Sequence, residues 1–110
     1  MSQDIDNRLR SLRDELDEID RRLLESIRDR IDVCARVAHV KRAFDIPMMQ
    51  PARVGVVQER ARVFARAHDL SEEFLVSVYS TLIAEACRVE DAIIESEPAV
   101  SRTASNTQRR

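Results

Sequence analysis

Arg30 and Lys41 stand eleven residues apart in a stretch free of glycine and proline. On a helix of 3.6 residues per turn that is almost three whole turns, so both cations lie on one face. Arg30 is set among Ile27, Ile31 and Cys34, and Lys41 follows Val37, Ala38 and Val40. Cations on the inner edge of an apolar face need an anionic partner, because an unpaired buried charge is expensive. Two sources remain open on this ground: internal carboxylates, of which Glu85 and Glu90 are the nearest in kind, or an anionic ligand. Arg13 lies seventeen residues before Arg30, roughly 25 Å along a helix axis. It cannot meet Arg30 on a small ligand within one chain. Either it pairs at the surface with Asp17, or it reaches the site of a second subunit.

Other chemistry is poorly provided for. There is no glycine-rich phosphate loop, and His39 and His68 have no metal-ligand spacing to cysteines or acids. Cys34 and Cys87 form no C-x-x-C pair and read as reduced packing thiols. No metal and no cofactor is expected. With 18 basic and 20 acidic residues the charge is nearly balanced, which argues against a nucleic-acid binder. No apolar run approaches the roughly 20 residues of a membrane span, and no signal-like apolar region opens the sequence. A soluble, cytoplasmic protein without membrane contact is expected.

The elements that would position these cations are helical. One glycine and three prolines among 110 residues leave few turns, and Leu, Ile, Val and Ala carry the apolar content. Ile5, Leu9, Leu12, Leu16, Ile19, Leu23 and Ile27 alternate in steps of four and three, the pattern of a helix that packs on helices. This first helix is predicted from about Asp4 to about Phe44, roughly 60 Å long. The rest of one domain cannot cover so long a stripe, so a second chain is expected. Exposed pairs such as Arg10 with Asp14, Arg13 with Asp17 and Glu18 with Arg22 add small local support.

Pro47 and Pro51 bracket a break from Asp45 to Pro51. A second helix follows from about Ala52 to His68, with Val56, Val57, Ala61, Phe64 and Ala65 as its apolar positions. His68-Asp69-Leu70 ends it. Ser71 is the expected N-cap of a third helix that runs to about Glu95, with Glu72 and Glu73 in its first turn. Its inward positions are Phe74, Leu75, Val78, Leu82, Ile83, Ala86, Val89 and Ile93. Residues 1–96 form one helical domain on this reading. The tail from Glu97, EPAVSRTASNTQRR, has little to bury and is expected to be disordered.

The cations, the proline loop and the third helix together resemble the all-α chorismate mutase family. The run LRDELDEIDRRLLESIRDRIDVCARVAHVKRAFDIP is similar to that family's first helix, and the likeness extends without a gap from about Leu12 to Ile94. The resemblance implies an intertwined homodimer of three-helix subunits, one helix of each very long, and a small dicarboxylate substrate. It also implies a [3,3] Claisen rearrangement that needs no nucleophile and no metal. Position by position, Arg13 matches the arginine donated by the partner subunit. Arg30 and Lys41 match the cations of the subunit's own site. Gln50 and Arg53 match positions of the loop and second helix, and Glu90 matches a third-helix position that is Gln in some members and Glu in others. Catalysis would then fall to Lys41, Glu90 and Arg30.

The sequence departs from the ordinary pattern at one end of the pocket. Val54 stands where members that act on chorismate carry a glutamate for the ring C4 hydroxyl. Gln50 replaces a loop acid, and Ala86 replaces a typical serine. A site built for a hydroxyl loses much of its grip when the hydrogen-bonding group goes. The stretch IPMMQPARVGVVQERA resembles instead the branch that acts on 4-amino-4-deoxychorismate, on the way to p-aminophenylalanine and antibiotics made from it. The alternatives are a true chorismate mutase, an isochorismate pyruvate lyase with the same carboxylate clamp, and a non-catalytic helical dimer module.

Overall fold

The computed structural model describes residues 2–47 and 51–96, and within these the chain is entirely helical. Helix α1 spans Ser2–Ala43, α2 spans Pro51–Ala67 and α3 spans Glu72–Ser96. The expected order is observed, with α1 starting two residues earlier than the apolar pattern implied. Helix α2 opens on Pro51 itself, which suits a first-turn position where no N–H is needed. The expected disordered tail from Glu97 onward lies outside the described residues.

Glycine is nearly absent, so the helices end by another device. Asp45 and Asp69 both adopt the left-handed conformation, with φ of 58° and 56°. At the end of α1 the Ile46 amide donates to the Lys41 carbonyl at 2.7 Å, and the Asp45 amide donates to that of Arg42. At the end of α2 the Leu70 amide donates to the Ala65 carbonyl at 2.9 Å. These are Schellman-type closures in which aspartate takes the place usually given to glycine. Ser71 then caps α3 as expected: its Oγ accepts from the Phe74 amide at 3.1 Å.

The chain divides into two compact units, Met1–Val33 and Cys34–Arg110. In the first, the described residues belong to α1. Their apolar row is largely uncovered: Leu12 and Leu16 are each 56% exposed, Ile5, Leu9, Ile19 and Leu23 are exposed with them, and Ile27 is half-buried. Its charged flanks are locally knit. Arg21 donates to Glu18 and to Glu25. Glu18 therefore takes its hydrogen bonds from Arg21 rather than from Arg22, which exerts only a weaker Coulombic pull on it.

The second unit holds the buried residues, and its core is built from small side chains. Ala38 and Ala65 are fully buried, and Val57, Ala61 and Ala86 nearly so. On α2 the buried positions Val57, Ala61 and Ala65 recur every four residues, a smooth ridge on which α3 packs. Phe74 and Val78 were expected inward on α3 and are exposed instead, as are the apolar positions Val56 and Phe64 of α2. The physical reason is the narrow stripe. Small residues let the two helices approach closely, and the bulkier neighbours are left on the flanks. There Phe64 stacks on His68 with ring centroids 4.1 Å apart. Arg66 meets Glu59 at 3.2 Å and Glu72 at 3.8 Å, tying the end of α2 to the start of α3. No described helix is long and apolar enough to cross a membrane.

Candidate active site

Glu90 is the one polar residue counted as buried among the described residues, at 9% exposure. It lies on α3 one turn beyond Ala86, so the two share a face. Burial pushes its carboxyl above the usual carboxylate range. The Lys41 charge opposes that rise, and the Asp91 carboxylate reinforces it. Lys41 is half-buried in the last turn of α1, where a cation also suits the helix dipole. The structure thus brings together two residues that the sequence places 49 positions apart, a cation and a carboxyl held toward its neutral form.

The carboxylates proposed as internal partners for the inner cations now separate. Glu85 is engaged along its own helix, accepting from Arg88 Nε at 2.8 Å and from Nη2 at 2.7 Å, which holds its carboxyl below the usual range. Glu90 makes no hydrogen bond or ion pair among the described residues, although it lies in the field of Lys41. A buried carboxyl whose pKa is raised keeps its proton, and with it the ability to donate a hydrogen bond, to higher pH than an exposed one.

Cys87 belongs to this cluster. It sits three residues before Glu90 and is half-buried. Burial first, then Glu90 and Asp91, push its thiol up, while Lys41 pulls it down and Cys34 adds a smaller upward push. Sequence reading took both cysteines for packing residues. The signal available was spacing: Cys34 precedes Lys41 by two turns, and Cys87 precedes Glu90 by three residues, so each thiol shares a face with a site residue.

The remaining expected site residues are placed as follows. Val54 is half-buried and Arg53 exposed in the first turn of α2. Arg13 is exposed in the first unit and makes no ion pair with Asp17 among the described residues. Arg30 also lies in the first unit and is half-buried. Gln50 lies outside the described residues. No group of three or more histidines, cysteines and acids is arranged to hold a metal among the described residues.

Comparison with known proteins bears directly on this cluster. The sequence profile described as "Chorismate mutase type II" matches residues 12–91, which takes in Arg13, Arg30, Lys41, Arg53 and Glu90. The chain is 47% identical over 91 residues to a 4-amino-4-deoxychorismate mutase of Streptomyces venezuelae, covering 83% of this chain and 88% of that protein. It is 42% identical over 88 residues to a 4-amino-4-deoxychorismate mutase of Streptomyces pristinaespiralis, covering 80% of this chain and 68% of that one. A chorismate mutase of Methanocaldococcus jannaschii is 29% identical over 76 residues, covering 69% of this chain and 77% of that one. No solved structure is matched.

Proposed function

The chain belongs to the type II chorismate mutase family, and from that premise we propose that it is an isomerase that rearranges 4-amino-4-deoxychorismate to 4-amino-4-deoxyprephenate. The observation that carries this reading is the 47% identity, across most of both chains, to a relative named for that reaction. The second such relative supports it, and the relative named for chorismate itself is more distant.

The reaction breaks one C–O bond and forms one C–C bond within a single molecule. No atom is gained or lost, so the protein's task is to fold the enol-ether side chain over the ring and to stabilise charge as it shifts. Arg30 and Arg13 of the partner subunit hold the two carboxylates through forked, charge-assisted hydrogen bonds. As the C–O bond lengthens, its oxygen becomes more negative. Lys41 and the protonated Glu90 carboxyl both donate to that oxygen, and both bind it more tightly in the transition state than before. The raised Glu90 carboxyl supports this role, because an ionised one has no proton to donate. Arg53 and Gln50 would serve substrate binding, as the resemblance implies. Val54 and Ala86 leave the ring's C4 end without the acid and hydroxyl that would favour a C4 hydroxyl.

The working unit is a homodimer. Two lines support it. The row from Ile5 to Leu23 is exposed along a whole helix face, and burying each such side chain is worth about 1.5–3 kcal/mol. Arg13, moreover, is too far along α1 to serve the same site as Arg30.

The test is kcat/KM for 4-amino-4-deoxychorismate and for chorismate on the same purified protein, with product analysis. A preference for the amino substrate is expected, and Val54→Glu is expected to shift the ratio toward chorismate. Preference for chorismate would return the chain to prephenate synthesis. Release of pyruvate would make it a lyase, and turnover of neither substrate would leave a binding module.

A further inference from the structure

An amine on ring carbon C4 is protonated near neutral pH, as aliphatic amines are, and needs a hydrogen-bond acceptor. Val54, the residue assigned to that end of the pocket, offers none. Six residues of α2 are not exposed: Val54, Val57, Gln58, Ala61, Arg62 and Ala65. Among them only Gln58 carries a side-chain acceptor. It lies four residues after Val54, one turn further along the same face. Its Nε2 donates to the Ser80 Oγ of α3 at 3.4 Å, and its Oε1 accepts no hydrogen bond from the described residues.

The contact with Ser80 also sets the register of the two helices. Gln58 meets Ser80, and Arg66 meets Glu72 at 3.8 Å, so α2 and α3 run antiparallel. On α3, Ser80, Ile83, Cys87 and Glu90 follow in steps of three, four and three, which puts them on one face. Glu90 lies ten residues past Ser80, roughly 15 Å along the axis. Val54 and the buried Ala86 fall at heights between them. Side chains lean toward the N-terminus of their own helix. In an antiparallel pair Gln58 therefore leans toward the level of Glu90, and Glu90 leans back toward that of Gln58. In 4-amino-4-deoxychorismate the amine sits on the ring carbon next to the one that carries the ether. A ligand whose ether oxygen meets Glu90 thus presents its amine to a group that reaches in from α2.

We propose that Gln58 determines specificity at C4: its amide oxygen accepts a hydrogen bond from the substrate ammonium. Ser80 is a positioning residue, which engages the amide nitrogen and so turns the oxygen toward the ligand. The inference rests on the reading of this chain as a mutase of 4-amino-4-deoxychorismate, and it names the group that stands in for an acid at Val54. An amide oxygen binds an ammonium through a charge-assisted hydrogen bond and a hydroxyl only through a neutral one, which favours the amine.

The experiment is kcat/KM for 4-amino-4-deoxychorismate and for chorismate in the wild type, Gln58→Leu, Gln58→Glu and Ser80→Ala, with Tm measured for each. The quantity read is the ratio of the two values, amino substrate over chorismate. Gln58→Leu is expected to lower it about tenfold or more, because a hydrogen bond to a charged group is lost. Gln58→Glu keeps an acceptor of the same reach and is expected to hold the ratio at or above that of the wild type. Ser80→Ala is expected to lower it several-fold, through KM for the amino substrate with kcat retained. An unmoved ratio in Gln58→Leu overturns the proposal, and so does an equal loss on both substrates, the mark of a pair that only joins two helices. If Gln58→Leu does not fold, Ser80→Ala decides, and an unmoved ratio there overturns the proposal. A wild type that prefers chorismate defeats the functional reading, and this inference with it, before any variant is compared.

Discussion

The two halves of α1 obey the same helical grammar and meet opposite fates. From Ser2 to Val33 the helix presents a regular row of large aliphatic side chains, exposed in the single chain from Ile5 to Leu23 and half-buried at Ile27 and Ile31. From Cys34 onward the row turns to small residues, and Ala38 is fully covered. Large side chains spaced for a partner and left bare are what the proposed second copy would cover. Small side chains already buried mean that their neighbours are supplied within it. On the proposed reading the first region serves assembly, while the second places a cation beside a carboxyl.

The largest effects should come from breaking the cations on either side of that division. Lys41→Ala removes a donor to the developing oxyanion and is expected to lower kcat by about 10²–10³-fold. Arg13→Ala should produce a comparable loss of kcat/KM, although the residue is exposed and belongs to the other region. Mixing the two inactive variants separates their roles. If Arg13 serves the partner's site, random mixed dimers carry one doubly defective site and one intact site. About a quarter of wild-type activity should then return, half the dimers being mixed and each having one good site. No recovery on mixing, with subunit exchange verified, would show that Arg13 does not serve the partner's site.

Next in size is a test of the bare row. In an isolated chain Leu16→Ala should cost almost nothing, since Leu16 is 56% exposed. Covered by a second copy, it should cost about 2–5 kcal/mol, as truncation of a buried leucine does. The stability of Leu16→Ala should also depend on protein concentration. Ala38→Leu sharpens the contrast. It overpacks the other half of the same helix and should cost about 1–3 kcal/mol at any concentration.

How much of this was legible in the sequence follows the same division. Helix number, order and ends could be read because periodicity, two prolines and Ser71 are local signals. The Asp45 and Asp69 closures had no glycine to announce them, and their aspartates show their function only in the backbone conformation. Which apolar residues turn inward was misread at Phe74 and Val78, because a ridge of small residues sets the packing face and side-chain size alone does not reveal it. The pairing of Lys41 with Glu90 was not contained in either helix. The inner cations left Glu85 and Glu90 equally open as partners until the resemblance singled out Glu90, and Cys87 was read as packing although its spacing puts it on the face of Glu90.

A smaller and more selective effect concerns pH. The folded chain holds the Glu90 proton to higher pH than the unfolded chain does, so between the ordinary carboxylate range and the raised value the folded state binds more protons. Stability therefore falls as pH rises through that window, and it stays lower above it. Glu90→Gln removes the titrating group. The variant should match the wild type at low pH and become the more stable of the two as pH rises. Activity should part in the same window, with wild-type kcat/KM declining toward alkaline pH and the variant remaining flat. Parallel profiles for the two proteins would mean that Glu90 acts, if at all, in its charged form.

The smallest expected effect tests where the second region ends. Gly55 is the only glycine of the chain and lies within α2, beside Val54. A methyl group built there meets nothing within 4 Å in the single chain. Its backbone has no positive φ that would favour glycine. Glycine in a helix interior costs roughly 0.5–1 kcal/mol relative to alanine, so Gly55→Ala should raise stability by about that amount. The informative quantity is activity in the stabilised protein. Unchanged kcat/KM would show that the space beside Val54 is open to solvent in the working enzyme too. A rise in KM with Tm still raised would mean that the added methyl meets substrate, and a loss of dimer that it meets the second copy. In either case the bare space at Gly55 would be of the same kind as the bare row on α1, complete only when something outside the chain arrives.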